Sequence, residues 1–227
     1  MPSMPMTELV RFLSLNRNDN GDKLLTSVDE IIEAGYLRSH IVKMLRDNGD
    51  AGLVGSADAY LHPNGFVKIC VAKAGEWSVR LHFWNQSEEE SHIHSHRWDF
   101  ASRLLIGSLQ AKTFEVSSEE ARQTMFYCRR TLEDGYLFED AGPCATQIQH
   151  EDTYRQGISY FQDHRLLHTV ETVGLAPIIT AVVQGADVSD QSIVIASRGE
   201  EPPKQLPLLP LEASQIRPLL EQALELL

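Results

Sequence analysis

From Tyr60 to about Gly185 the chain is a succession of short β-rich runs separated by turn residues. GFVKICVAKAG, EWSVRLHFWN, FASRLLIGSLQAKTFEV, GISYFQ, HTVETV and PIITAVVQG each have the length and the β-branched or aromatic content of one strand or two. No helical pattern alternates with them, so a parallel sheet built from βαβ units is not expected. A mainly β sandwich or barrel is expected. QSIVIASR adds a further candidate strand before the proline-rich stretch EEPPKQLPLLP.

The flanks read differently. Residues 1–55 are expected to form a helical segment packed on a barrel of residues 56–198. Ser27-Val-Asp-Glu30 has capping-box spacing, and Leu37, Ile41, Met44 and Leu45 fall at helical intervals before Gly49 and Gly52 break the pattern. Residues 199–227 form a connector and a C-terminal helix, whose leucine stripe in ASQIRPLLEQALELL suits a packing face rather than a membrane anchor. A length of 227 residues fits one domain with such appendages.

A formal charge of −12, with no basic block to offset it, disfavours nucleic acid and anionic membranes as partners. Cys70, Cys128 and Cys144 are odd in number and widely spaced, which argues against a disulfide framework or a cysteine-rich zinc module. Cys70 and Cys128 read as small buried apolar residues, and Glu88–Glu90 as a solvated loop. No apolar stretch is long enough to span a bilayer and the N-terminus lacks signal-peptide character, so a cytoplasmic location is expected.

The stretch SHIHSHRWDF sets His92, His94 and His96 on one face of a strand, because side chains two apart point the same way. Same-face neighbours lie about 7 Å apart at the backbone. Two such imidazoles can lean onto one ion with metal–nitrogen distances of about 2 Å. A third ligand must come from elsewhere. The residues leave two registers open: one uses His94 and His96, the other His92 and His94 with Asp99 as a carboxylate ligand. In the first, His92 becomes a substrate contact or a group supporting the ligands, and Asp99 a turn residue.

The spacing around these residues resembles the two motifs of the cupin superfamily. Counting back from Gly107, His94 and His96 fall at the histidine positions, with Phe100 where a glutamate is expected. Downstream, Gly157 and His168 keep the spacing of the second motif, with Asp163, Arg165 and Thr172 at its proline, glycine and asparagine positions. The resemblance implies a cupin jelly-roll β-barrel with His168 as the third ligand. Within the superfamily the chain is most similar to the cysteine dioxygenase-like thiol dioxygenases, from about Tyr60 to Arg198. Trp84 before the H-x-H and the sequence HTVET carry that likeness. It implies iron(II) held by three histidines without a carboxylate. The branch's late active-site histidine and tyrosine would fall near Val183 and Gly185, and its substrate-gripping arginine has only Lys68 at a comparable distance. A scaffold and a metal are therefore implied more strongly than cysteine as substrate.

Arg80 and His82 alternate with Val79, Leu81 and Phe83, and Tyr160, Gln162 and His164 alternate likewise ahead of His168. Apolar-in, polar-out is the simpler orientation for the Arg80 strand. If its polar face points inward, Arg80 is the candidate for an anionic substrate group. Arg80, His82, His92, Asp99, Tyr160 and His164 are thus the candidate substrate contacts around a His94, His96 and His168 metal site. The expected function is a mononuclear iron(II) dioxygenase acting on a small polar metabolite. Zinc, nickel, manganese or copper are alternative metals. A non-redox isomerase or lyase and a non-catalytic sensor are alternative functions, and a homodimer is an allowed assembly.

Overall fold

The computed structural model describes residues 8–15, 21–47, 58–84, 92–117, 121–131, 135–174 and 177–227. Gly49, Gly52 and Glu88–Glu90 lie outside these. Three helices come first: α1 (Glu8–Leu15), α2 (Gly21–Glu33) and α3 (Tyr36–Asp47). The strands follow: β1 (Asp58–Leu61), β2 (Phe66–Ala74), β3 (Trp77–Trp84), β4 (Ile93–His94), β5 (Trp98–Ile106), β6 (Ser108–Ser117), β7 (Gln123–Arg130) and β8 (Gly135–Arg155). Then come β9 (Ser159–Gln162), β10 (Leu167–Thr172), β11 (Ile178–Asp187), β12 (Ser192–Ser197), β13 (Gln205–Pro207), β14 (Leu209–Pro210) and a last helix, α4 (Ala213–Leu224).

Two seven-stranded antiparallel sheets make a jelly-roll barrel. The first runs β14-β1-β2-β3-β11-β5-β9 and the second β13-β8-β6-β10-β4-β12-β7. The first half of β8 pairs with β7 and its second half with β6, so the ladder of the second sheet returns on itself.

The helices decide which face of the first sheet looks inward. Val79, Leu81 and Phe83 of β3, with Ile179, Ala181 and Val183 of β11, join one core with Val28 and Ile31 of α2, Leu37 and Ile41 of α3 and Ile216 and Leu220 of α4. Burying each valine, leucine, isoleucine or phenylalanine among them contributes about 1.5–3 kcal/mol. The apolar face of β3 therefore packs outward under helices, and Arg80 and His82 turn into the barrel. This corrects the apolar-in expectation, which assumed that water covers the other face of the sheet. α4 spends its leucine stripe on its own chain, and the Arg38 guanidinium donates to the Leu224 carbonyl at 2.7 Å.

Two further differences have physical causes. Ser27 is not an N-cap: it is buried in the middle of α2, which begins at Gly21 and ends before Gly35 at φ +72°. β7 and β8 carry no clean apolar alternation and are not foreseen as strands. Most of β8 beyond Cys144 is exposed, so pairing with β6 holds it extended rather than burial of one face. Among the described residues no helix is long and apolar enough to cross a membrane.

Candidate metal centre

His94 and His168 face each other across the β4–β10 pair. His96 follows β4, held by its backbone N–H donating to the His164 carbonyl at 3.1 Å. The three rings converge, with centroids 5.0 Å apart for His94 and His96, 4.6 Å for His94 and His168, and 5.0 Å for His96 and His168. One nitrogen from each ring lies within 4.8 Å of the others.

The donor set fits a divalent transition metal. His96 Nε2 and His168 Nε2 stand 2.9 Å apart. Two nitrogens bound about 2.1 Å from one ion at a right angle are about 3 Å apart. His94 Nδ1 lies 2.8 Å from the His92 carbonyl, an acceptor, so it carries the proton and leaves the Nε2 lone pair free. His168 Nδ1 is buried without a partner among the described residues, which leaves Nε2 as that ring's only outlet. Burial holds the His94 imidazole down at about 4, and burial with mutual repulsion holds His96 and His168 well below the usual imidazole range. All three are thus neutral near pH 7, the state in which imidazole binds metal. Phe100, at the position of the expected glutamate, is buried with its ring 4.9 Å from His96 and edge-on to it. No carboxylate joins this cluster among the described residues.

His94 and His96 line a cavity of about 330 Å³, and the buried His168 stands behind them. Arg80, His82 and His92 line it, but Asp99, Tyr160 and His164 do not. His92 is exposed, and its carbonyl rather than its ring orients His94. The register using His92, His94 and Asp99 is not formed. Asp99 Oδ1 instead accepts from both the backbone N–H and Nδ1 of His164 at 2.7 Å, and so braces the segment that holds His96. Asp163 pairs with Arg165, which holds its carboxyl down at about 2. Tyr160 stacks on Tyr154 at 4.2 Å, outside the cavity, and burial pushes its phenol up to about 12. Trp84 packs on Phe66 at 4.5 Å.

Several wall residues have no local signal in sequence. Trp98 lies 6.0 Å from the His96 ring and meets the Arg97 guanidinium at 5.1 Å, while Tyr136 and Phe138 come from the unforeseen β8. Glu200, Glu201, Pro202 and Pro203 of the connector complete the rim. Only the folding of distant segments onto the barrel mouth brings these together.

The chain folds as a jelly-roll β-barrel of two antiparallel sheets. Its similarity to solved structures is distant. KdgF from Halomonas sp. is 11% identical over 56% of this chain and 86% of that one, with a TM-score of 0.34. An RmlC-like cupin from Shewanella frigidimarina NCIMB 400 is 13% identical over 58% and 86%, at 0.33. Fe(II)-HppE with the alternative substrate (S)-1-HPP is 11% identical over 57% and 56%, at 0.36. No family model and no curated protein matches the chain. At such scores these likenesses carry no functional weight, and the strand order and the histidine geometry carry the reading that follows.

Proposed function

We propose that this protein is a metal-dependent cupin working as a mononuclear non-haem iron(II) dioxygenase on a small polar metabolite. The observation that carries this reading is the convergence of three neutral imidazoles, from two strands and a loop, with Phe100 in place of a carboxylate. A three-nitrogen donor set suits iron, copper, nickel or zinc better than magnesium or calcium. An iron(II) ion held there would supply redox chemistry and open coordination positions. The chain's own part is to orient and to shield. His92 and His164 fix the directions of His94 and His96 through their carbonyls, and aromatic walls keep water from the cavity floor. The cysteines are buried and unpaired, which suits a reducing compartment, and we place the activity in the cytoplasm.

Anaerobic purification with elemental analysis, followed by oxygen uptake with thiols, catechols and amino acids, tests this. About one iron per chain is expected, one ion per three-histidine set, with substrate-dependent oxygen consumption that His168→Ala abolishes. Bound zinc, nickel or manganese without oxygen consumption would instead support an isomerase or lyase. A chain that retains no metal would be a binding protein.

A further inference from the structure

Lys68 and Arg80 are only 6% and 9% exposed, and both line the cavity. They sit on adjacent strands: Lys68 opposes His82 and Arg80 opposes Cys70 in the β2–β3 register, so the two cations share the inner face of the sheet. Both approach one indole, with Lys68 Nζ 5.5 Å and the Arg80 guanidinium carbon 5.3 Å from the Trp98 ring.

Three less deeply buried cations are paired with carboxylates. Lys112 meets Glu171 at 2.6 Å, Arg103 meets Asp29 at 2.7 Å and Arg97 meets Asp187 at 3.4 Å. Among the described residues no carboxylate pairs with Lys68 or Arg80. The nearby Asp58 is engaged by Lys73 at 3.3 Å, and Arg80 Nε donates only to the neutral Ser78 hydroxyl, at 3.0 Å. Glu200 and Glu201 stand at the exposed rim, where Glu201 accepts the Gly199 N–H. Two like charges buried side by side without counter-ions are destabilising, and such arrangements persist where a ligand supplies the missing charge. Their presence in a chain of net charge −12 sharpens the contrast. Burial and the neighbouring Arg80 also push the Lys68 amine well below its ordinary range, as a missing counter-ion would.

The rest of the wall sets the ligand's body. Tyr60, Phe66, Trp98, Phe100, Tyr136 and Phe138 make it aromatic. A cavity of ~150 Å³ accepts benzene, so about 330 Å³ holds one ring with its substituents.

We propose that Lys68 and Arg80 form an anion subsite, so that the cavity's ligand is a small flat molecule bearing a carboxylate or a phosphate. The orientation of its other end toward the histidines rests on the metal reading above; the subsite itself does not.

Calorimetric titration of the full-length protein, as purified and after chelation, with benzoate, phenyl phosphate and the neutral isostere benzamide tests this. At least one anion is expected to bind tenfold or more tightly than benzamide, and the preferred anion identifies the group as carboxylate or phosphate. Lys68→Met and Arg80→Met should each weaken that anion at least tenfold while changing benzamide less than threefold. Lys68→Met should also melt no lower than the wild type without ligand, because it removes an unpaired charge. Equal binding of benzamide and both anions would overturn the assignment, as would unchanged anion affinity in both variants. So would a lower melting temperature of Lys68→Met. His168→Ala separates the two proposals. It should lose metal yet keep the anion within threefold, whereas anion loss as deep as in Lys68→Met would move the anion to the histidines and overturn the subsite. A wild type that binds the anion but no metal would refute the metal reading alone.

Discussion

His168 stands directly opposite His94 in the β10–β4 ladder, with ring centroids 4.6 Å apart. They are 74 positions apart in the chain, yet a single antiparallel register position brings their rings over the same point. His96 then needs only to step off the end of β4 to close the set, its Nε2 2.9 Å from His168 Nε2.

This relationship ranks the histidines. His168→Ala should lower metal affinity at least tenfold, in the range seen when a metal site loses a supporting group and more when it loses a ligand. His92→Ala should leave metal content nearly unchanged, because residue 92 acts through its carbonyl. Elemental analysis of both variants, after thermal melts confirm folding, checks the order.

The depressed imidazoles make the metal-free protein acid-sensitive. Above pH 6.5 the three rings are neutral in both folded and unfolded chains, and their full contribution is present. As pH falls below 6.5 the unfolded chain takes up protons that the folded His94 refuses until about pH 4, and the contribution is lost. Melting temperature in chelator should therefore drop between pH 6.5 and 4, and His168→Asn should make that drop shallower. A flat profile in the wild type would contradict the burial of these rings as neutral species.

Gly107 and Gly157, the glycines of the two motifs, are predicted to respond unequally to alanine. Both have positive φ, +87° and +81°. A Cβ at Gly107 would lie 2.6 Å from Ile178 Cγ1 and 2.9 Å from the Pro177 carbonyl oxygen, while one at Gly157 meets open space. Gly157→Ala should cost about 1 kcal/mol, the left-handed penalty. Gly107→Ala should cost about 3 kcal/mol or more, because the clash involves backbone. Urea denaturation distinguishes them.

The helical cover is testable through Ile31, which is fully buried between α2 and the first sheet. Ile31→Ala should cost about 2–5 kcal/mol in chemical denaturation. Much of that cost should persist in the metal-loaded protein, since the residue lies on the sheet face away from the cavity.

The strands built on apolar, β-branched or aromatic runs were legible as strands. β2, β3, β5, β6, β10 and β11 coincide with runs that stand out in the chain, and the spacings from Gly107 and Gly157 mark His94, His96 and His168. β7 and β8 were not legible, because strand pairing rather than an apolar stripe keeps them extended. Asp99 and His164 read as site candidates but spend their polar atoms on each other.

Local periodicity thus determined a β-rich fold and its helical flanks, but the expected row of His92, His94 and His96 along one strand is not formed, because β4 ends at His94 and His92 is exposed. Periodicity is silent about which face of a strand turns inward, because either face can be buried when helices cover the outside. Only the tertiary structure settled that. By packing Val79, Leu81 and Phe83 under α2, α3 and α4, it drove Arg80, and Lys68 with it, into the cavity beside the histidines.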